Sequence, residues 1–449
     1  MSTTTSTAVT AAPVTQSERI IILDALRGIA LLGILLMNIP YMGLPEPSFD
    51  NPTLNYEMGT INEKVWWYIN WIPEGTMRAI FSMLFGAGII LFVSRLEKRT
   101  EGVWPAEYFI RRQLWLLVFG LVNAFVLLWP GDILFQYAII GVVAFVFRRM
   151  AVKGLLIAAA VCLLLMTTRE YVDLHRQKDK IYKGEAVAKM DTTKVKLTDL
   201  QQEQLGAMTG MKEKSDTASL RKEMKKNLQK ATGGYSKLYN YMSDISANLE
   251  FYYTYYGIWD ILLFMLLGMA FFKSGILTGQ APAKLYWILF IVGMGAGLLL
   301  NWYKLQFVVN QQFNQFNVVK YKQVEFYEIS RTLRSLGLFG LIMLLYKSGW
   351  FKWLFALMRP VGQMAFTNYL MQSLMCGLFF FGVGFGMMGK LQRYEIYYVV
   401  AAVWVIEIIW SHLWLRFFRF GPLEWAWRSL TYWKKQPMRK ANTKDVMSI

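Results

Sequence analysis

The sequence predicts an all-α membrane protein of about ten transmembrane helices carrying one polar helical insert. Three observations predict it. The 449-residue chain is 55% hydrophobic and only 17% charged, and its mean hydropathy of +0.30 lies above that of an ordinary soluble domain. Apolar stretches recur along it, each near the roughly 20 residues that a helix needs to cross a bilayer. Lys and Arg gather beside alternate ends of those stretches.

Residues 1–17 form a Ser/Thr/Ala tail of low complexity, a composition that does not build a core. They lack the basic start of a signal peptide, and the apolar segment that follows is too long for a cleaved one. An N-terminal half over 18–170 holds apolar segments at 20–40, 75–94, 112–130, 132–147 and 154–170. Residues 171–250 are rich in Lys, Glu and Gln and nearly free of proline, and they read as a helical insert with a Gly233-Gly234 stop. A second half over 251–416 holds segments at 257–273, 283–301, 329–346, 360–382 and 396–416, and a basic tail at 417–449 closes the chain.

The charge pattern sets the expected orientation. The loop over 41–63 has no Lys or Arg, whereas Arg95, Lys98, Arg99, Arg111 and Arg112 crowd the next connection, as do Arg148, Arg149 and Lys153 further on. Both termini are therefore expected in the cytoplasm and the insert outside it. The net charge of +18 fits anionic headgroups beside apolar segments better than nucleic acid, so membrane lipids are the expected partners. Cys162 and Cys376 each fall within an apolar segment and read as small buried hydrophobes. The two histidines assemble neither a metal site nor a Ser-His-Asp arrangement.

Polar residues inside apolar segments are costly and usually functional. The first segment, "LDALRGIALLGILLMN", carries Asp24, Arg27 and Asn38. Asp24 and Arg27 are three apart and can pair. Arg27 and Asn38 are eleven apart, which places them within about 20° of each other on a helix and about 16 Å apart along it. This stripe is expected to face the bundle interior or a wet cavity. Arg78 stands next to Glu74 at the start of the second segment, and Asp132 in "WPGDILFQY" is placed to cap a helix. Arg331 and Arg334 are positioned to snorkel. Gln363, Thr367, Asn368 and Gln372 make a second polar set, and Glu407 is expected to meet an arginine. Glu424 and Arg428 are four apart in an aromatic segment suited to an interface.

The stretches "LDALRGIALLGILLMNI", "RAIFSMLFGAG", "GDIL" with "YAIIG", "GQMAFTNYLMQSL" and "FGPLEWAWRSLTYW" resemble the YeiB family, also called domain of unknown function 418. That family looks related to the transmembrane acyltransferase superfamily. The resemblance implies a transmembrane-acyltransferase-like bundle in the bacterial inner membrane that moves an acyl group from cytoplasmic acyl-CoA to an envelope glycan or lipid acceptor. It implies no permanently bound cofactor, with acyl-CoA as co-substrate. Asp24, Arg27, Arg78, Gln363, Asn368 and Glu424 would bind donor or substrate, and Asn38 and Asp132 would serve catalysis. The acyltransferase-3 group has a His eleven residues after its Arg, where this chain has Asn38. The glucosaminide acetyltransferase has Asn there and a His in the next loop, which this chain's loop does not contain. A transporter or export permease on the same scaffold is the rival expectation.

Overall fold

A computed structural model describes residues 20–100, 102–190 and 196–440. The expectations for the tail at 1–17 and for 441–449 lie outside the described residues. Among those described, the elements are helical, apart from one isolated antiparallel bridge between Phe418 and Arg439.

The chain opens with α1 (Ile21–Gly43), α2 (Ile61–Trp71), α3 (Thr76–Glu97), α4 (Trp104–Phe125) and α5 (Leu134–Val146). Then come α6 (Val152–Ala188) and the insert helices α7 (Asp199–Glu213), α8 (Thr217–Ala231) and α9 (Tyr235–Ala247). The rest comprises α10 (Thr254–Tyr256), α11 (Ile258–Lys273), α12 (Ala283–Asn310), α13 (Gln315–Tyr321), α14 (Tyr327–Ser348), α15 (Lys352–Gln363), α16 (Ala365–Phe380), α17 (Ile396–Phe417) and α18 (Pro422–Tyr432). Every apolar segment read from the sequence contains a helix, although 112–130 is helical only to Phe125 and 132–147 only from Leu134. Among the described residues, six helices are long and apolar enough to cross a membrane, or seven if the pair Tyr235–Tyr256 and Ile258–Lys273, bent by 62°, is one span. The protein is therefore compatible with a multi-pass membrane protein.

Several boundaries differ from the sequence reading, two of them with a clear local cause. The segment at 154–170 does not stop where the polar insert begins. With no Gly or Pro between Gly154 and Gly184, α6 runs unbroken from apolar into polar sequence. The segment at 360–382 is split at Met364, whose N–H turns to the carbonyls of Pro360 and Val361 (3.2 Å each), so α15 and α16 are separate helices.

Glycines set the closest approaches. A Cβ on Gly86 would strike the Met265 carbonyl, and one on Gly268 would strike the Met83 carbonyl, so α3 and α11 cross backbone to backbone. Gly28 and Gly362 do the same for α1 and α15, against Met358 and Asp24. Gly268→Ala should therefore cost about 1–3 kcal/mol through overpacking, read as a lower thermal midpoint in detergent. Gly295→Ala is the control, because nothing lies within 4 Å of the added carbon.

The insert covers one end of the bundle. Arg221 donates to the carbonyls of Leu54 and Thr53 (3.2 Å each), the Gly382 N–H donates to Ala231 (3.0 Å), and the Phe316 N–H donates to Ser215 Oγ (3.0 Å). The opposite end carries Arg149 paired with Glu97 (3.0 Å), and Lys273 and Lys347 bonded to loop carbonyls.

Candidate functional site

A cavity of about 240 Å³ opens at the basic end, between α1, α3, α4, α5, α16 and α18. Asp24 and Arg27 reach it from α1, because α1 packs its other faces on α15 and α3. Arg95, Arg112, Gln113, Gln363, Glu424 and Arg428 add to the polar lining. Phe81, Phe85, Phe92, Phe366, Tyr137 and Trp427 make an aromatic wall.

Part of the polar lining is held by hydrogen bonds. Arg27 Nη1 donates to Asp24 Oδ1 at 3.0 Å, and the Gln363 amide nitrogen donates to Asp24 Oδ2 at 3.3 Å. The expected Asp24–Arg27 pair is thus present, with Gln363 as its third member. The Arg27 side chain keeps 29% exposure, facing the cavity. The Arg112 guanidinium lies 3.6 Å from the centre of the Trp427 ring, while the Trp427 indole N–H donates to the Arg112 carbonyl at 2.9 Å. These contacts fasten α18 to α4, so the C-terminal motif forms one wall of the cavity.

Glu424 has a second task. It accepts from the N–H groups of Phe366 (2.8 Å) and Thr367 (3.0 Å) and from Thr367 Oγ1 (2.6 Å). It therefore caps α16 from another helix, where orphan N–H groups and the helix dipole favour an anion. Burial pushes its carboxyl above the ordinary range, against the pull of those donors. Glu424→Ala should cost about 2 kcal/mol by orphaning buried N–H groups, whereas Glu424→Gln keeps an acceptor and should cost less than about 1 kcal/mol. Detergent unfolding midpoints distinguish the two, and equal losses would remove the capping role.

The other residues singled out in the sequence lie elsewhere. Asn38, on α1, does not line the cavity, is half-buried, and has no hydrogen-bond partner among the described residues. Asp132 is buried and caps α5, accepting from Phe135 N–H (2.9 Å) and Asn123 Nδ2 (2.7 Å). Asn368 is buried and braces three helices, donating to Val361 O and Ser411 Oγ and accepting from Trp410 Nε1 (2.7 Å). Among the described residues Glu407 meets no arginine: its partner is the Gln372 amide at 2.9 Å.

Arg78 bonds Asp260 (2.5 Å) rather than Glu74. Asp260 also binds Arg331, which in turn holds Glu328. Arg334 takes Glu74 at 3.1 Å, and the Tyr327 hydroxyl donates to the same carboxylate at 2.7 Å. Arg331 and Arg334 are 1% and 0% exposed, which overturns the snorkelling expectation: their partners on α11, α14 and the α2–α3 turn draw them inward. Asp260 and Glu328 were missed by sequence reasoning. Their one signal was a carboxylate in the first turn of an apolar helix.

Residues 271–434 match the family described as protein of unknown function (DUF418). The chain is similar along its length to the uncharacterized protein YxaH of Bacillus subtilis (strain 168), 29% identical over 95% of this chain and 98% of the relative. It is also 28% identical to the uncharacterized protein YeiB of Escherichia coli (strain K12), over 92% of this chain and 96% of that protein. Over residues 271–434 the chain is similar to the DUF418 family, and along its length to these two proteins. No solved structure matches it. The matched region supplies α18, Gln363 and the whole Glu424 cap, whereas Asp24 and Arg27 come from the first helix.

Proposed function

We propose that this protein is a bacterial inner-membrane acyltransferase of about ten spans with both termini cytoplasmic. It takes the acyl group of a cytoplasmic acyl-CoA and passes it to an envelope glycan or lipid acceptor. The observation that carries the reading is the cavity at the basic end, with arginines at its rim and an aromatic wall behind them. Guanidinium groups suit phosphate, and an aromatic wall suits an acyl chain. At about 240 Å³ the space is below that of a typical whole-ligand pocket, so it takes one end of the donor. In the transfer, the acceptor oxygen bonds the acyl carbon, the C–S bond breaks, and the hydroxyl proton ends on the released thiol. Arg27, oriented by Asp24 and Gln363, holds the donor's anionic end.

A second reading has its own support. The carboxylates of the cavity, Asp24 and Glu424, are both engaged, and acyl transfer normally draws on a general base. An export permease on the same scaffold needs none, and buried ionisable networks such as Arg78–Asp260–Arg331 are frequent on transport paths. Purified protein incubated with radiolabelled acetyl-CoA or palmitoyl-CoA and envelope lipids separates the two. Label appearing in the lipid fraction supports transfer. Binding without label transfer, with flux of the bound compound in liposomes, supports transport. Absence of CoA binding would overturn the cavity assignment itself.

A further inference from the structure

We propose that a hard monovalent cation of the alkali class is held between Asp132 and Glu250, where the insert rejoins the bundle. The chain there is not a regular helix. Residues Asn248–Tyr253 form a π turn, a feature frequent at functional sites, and the helix axis bends by 62° before α11. Broken helices of this kind build ion sites in membrane proteins, because they free oxygens to coordinate.

The π turn is seated on the ends of α4 and α5. Ser246 Oγ donates to the Ala124 carbonyl at 3.0 Å, and the Phe251 ring centroid lies 5.4 Å from that of Phe135. This brings Glu250, 0% exposed, within electrostatic reach of Asp132, 1% exposed. Both Glu250 oxygens have no hydrogen-bond partner among the described residues. The same holds for Asn123 Oδ1, on the amide whose nitrogen bonds Asp132, and for the Thr254 hydroxyl one turn beyond Glu250. Two segments distant in sequence thus each bring orphan oxygens to the region where the π turn meets α4 and α5, and among the described residues no Lys or Arg bonds either carboxylate.

Buried polar oxygens are satisfied by donors or by an ion. A proton on Glu250 would serve one acceptor; a cation serves several at once. A set made of oxygens alone selects a hard cation, and no cluster of three or more His, Cys, Asp or Glu among the described residues suits a transition metal. The Asp132 carboxylate is already compensated by the donors that Asn123 and Phe135 aim at it, so Glu250 brings one unmatched charge, which a single positive charge balances.

The test uses full-length protein purified in detergent, with sodium chloride against choline chloride at matched ionic strength and neutral pH. Sodium at ten or more times its Kd should raise the unfolding midpoint by about 2 °C over choline. Glu250→Gln should erase that difference, and Thr254→Val, which keeps shape and charge, should shrink it. Radioactive sodium retained by the wild-type protein against excess choline gives the same answer if the Gln variant does not fold. Equal midpoints in the two salts together with no retained sodium, or a sodium effect that survives Glu250→Gln, would overturn the site. A Glu250-dependent stability that follows pH and ignores sodium would assign a proton instead and overturn it equally. These readouts do not involve the cavity at the basic end, so the two assignments stand or fall separately.

Discussion

Arg331→Ala should cost about 3–5 kcal/mol, the penalty for breaking a buried ion pair from one side, and should leave little monodisperse protein after detergent extraction. Arg331 is fully enclosed and is shared between Asp260 on α11 and Glu328 on its own helix. Without it, Glu328 is left buried near Asp260, and Arg78, whose side chain is 33% exposed, is the remaining arginine bonded to Asp260. A lone buried charge costs more than none, so Arg331→Met combined with Glu328→Gln should recover part of the loss, with the coupling read from a double-mutant cycle. Size-exclusion profiles and thermal midpoints at matched expression provide the measurement. A single Arg331→Ala protein as stable as the wild type would mean that water screens the network, and the enclosed ion-pair account would fall.

That network also shows where sequence reading stops. Each apolar stretch could be placed as a helix because length and composition are local properties, and each of them contains a helix here. The Gly233-Gly234 stop after α8 and the capping role of Asp132 were legible for the same reason: the residues involved lie within a turn or two of each other. Arg331 was not. Its partner Asp260 is 71 residues away, and a lone arginine near a helix end gives the same pattern whether it snorkels or folds inward. Glu407 misled in the opposite direction, because a buried carboxylate suggests a cation while a glutamine amide on the neighbouring helix serves as its donor. The cavity was half legible. Asp24, Arg27, Gln363 and Glu424 were singled out and come together, but Arg112 looked like a topology charge until α18 stacked Trp427 on it. The stripe through Asn38 did not extend the site, since a helical wheel fixes direction around one helix and says nothing about which neighbour fills that direction.

The pair Asp24–Arg27 allows the strongest test of the cavity. If Arg27 served only to neutralise Asp24, removing both should be tolerated better than removing either, because no unmatched charge remains. The structure adds that Asp24 has a second donor in Gln363 and that Arg27 keeps part of its surface toward the cavity. Arg27 therefore has spare donors for a ligand, while both Asp24 oxygens are occupied. The double variant Asp24→Ala/Arg27→Ala should accordingly be made at near wild-type level. It should bind CoA about 10- to 100-fold more weakly, the range expected for one lost charge-assisted hydrogen bond. Arg27→Ala alone should bind as poorly as the double variant and be less stable, with Asp24 left holding only the Gln363 amide. Asp24→Ala alone should lose less affinity, since the guanidinium remains but is no longer held in place. Titration calorimetry or a fluorescent CoA analogue, with unfolding midpoints recorded on the same samples, separates binding from folding. A double variant that binds CoA like the wild type would reduce the pair to a staple between α1 and α15 and move the donor's anionic end to the arginines of α4 and α18.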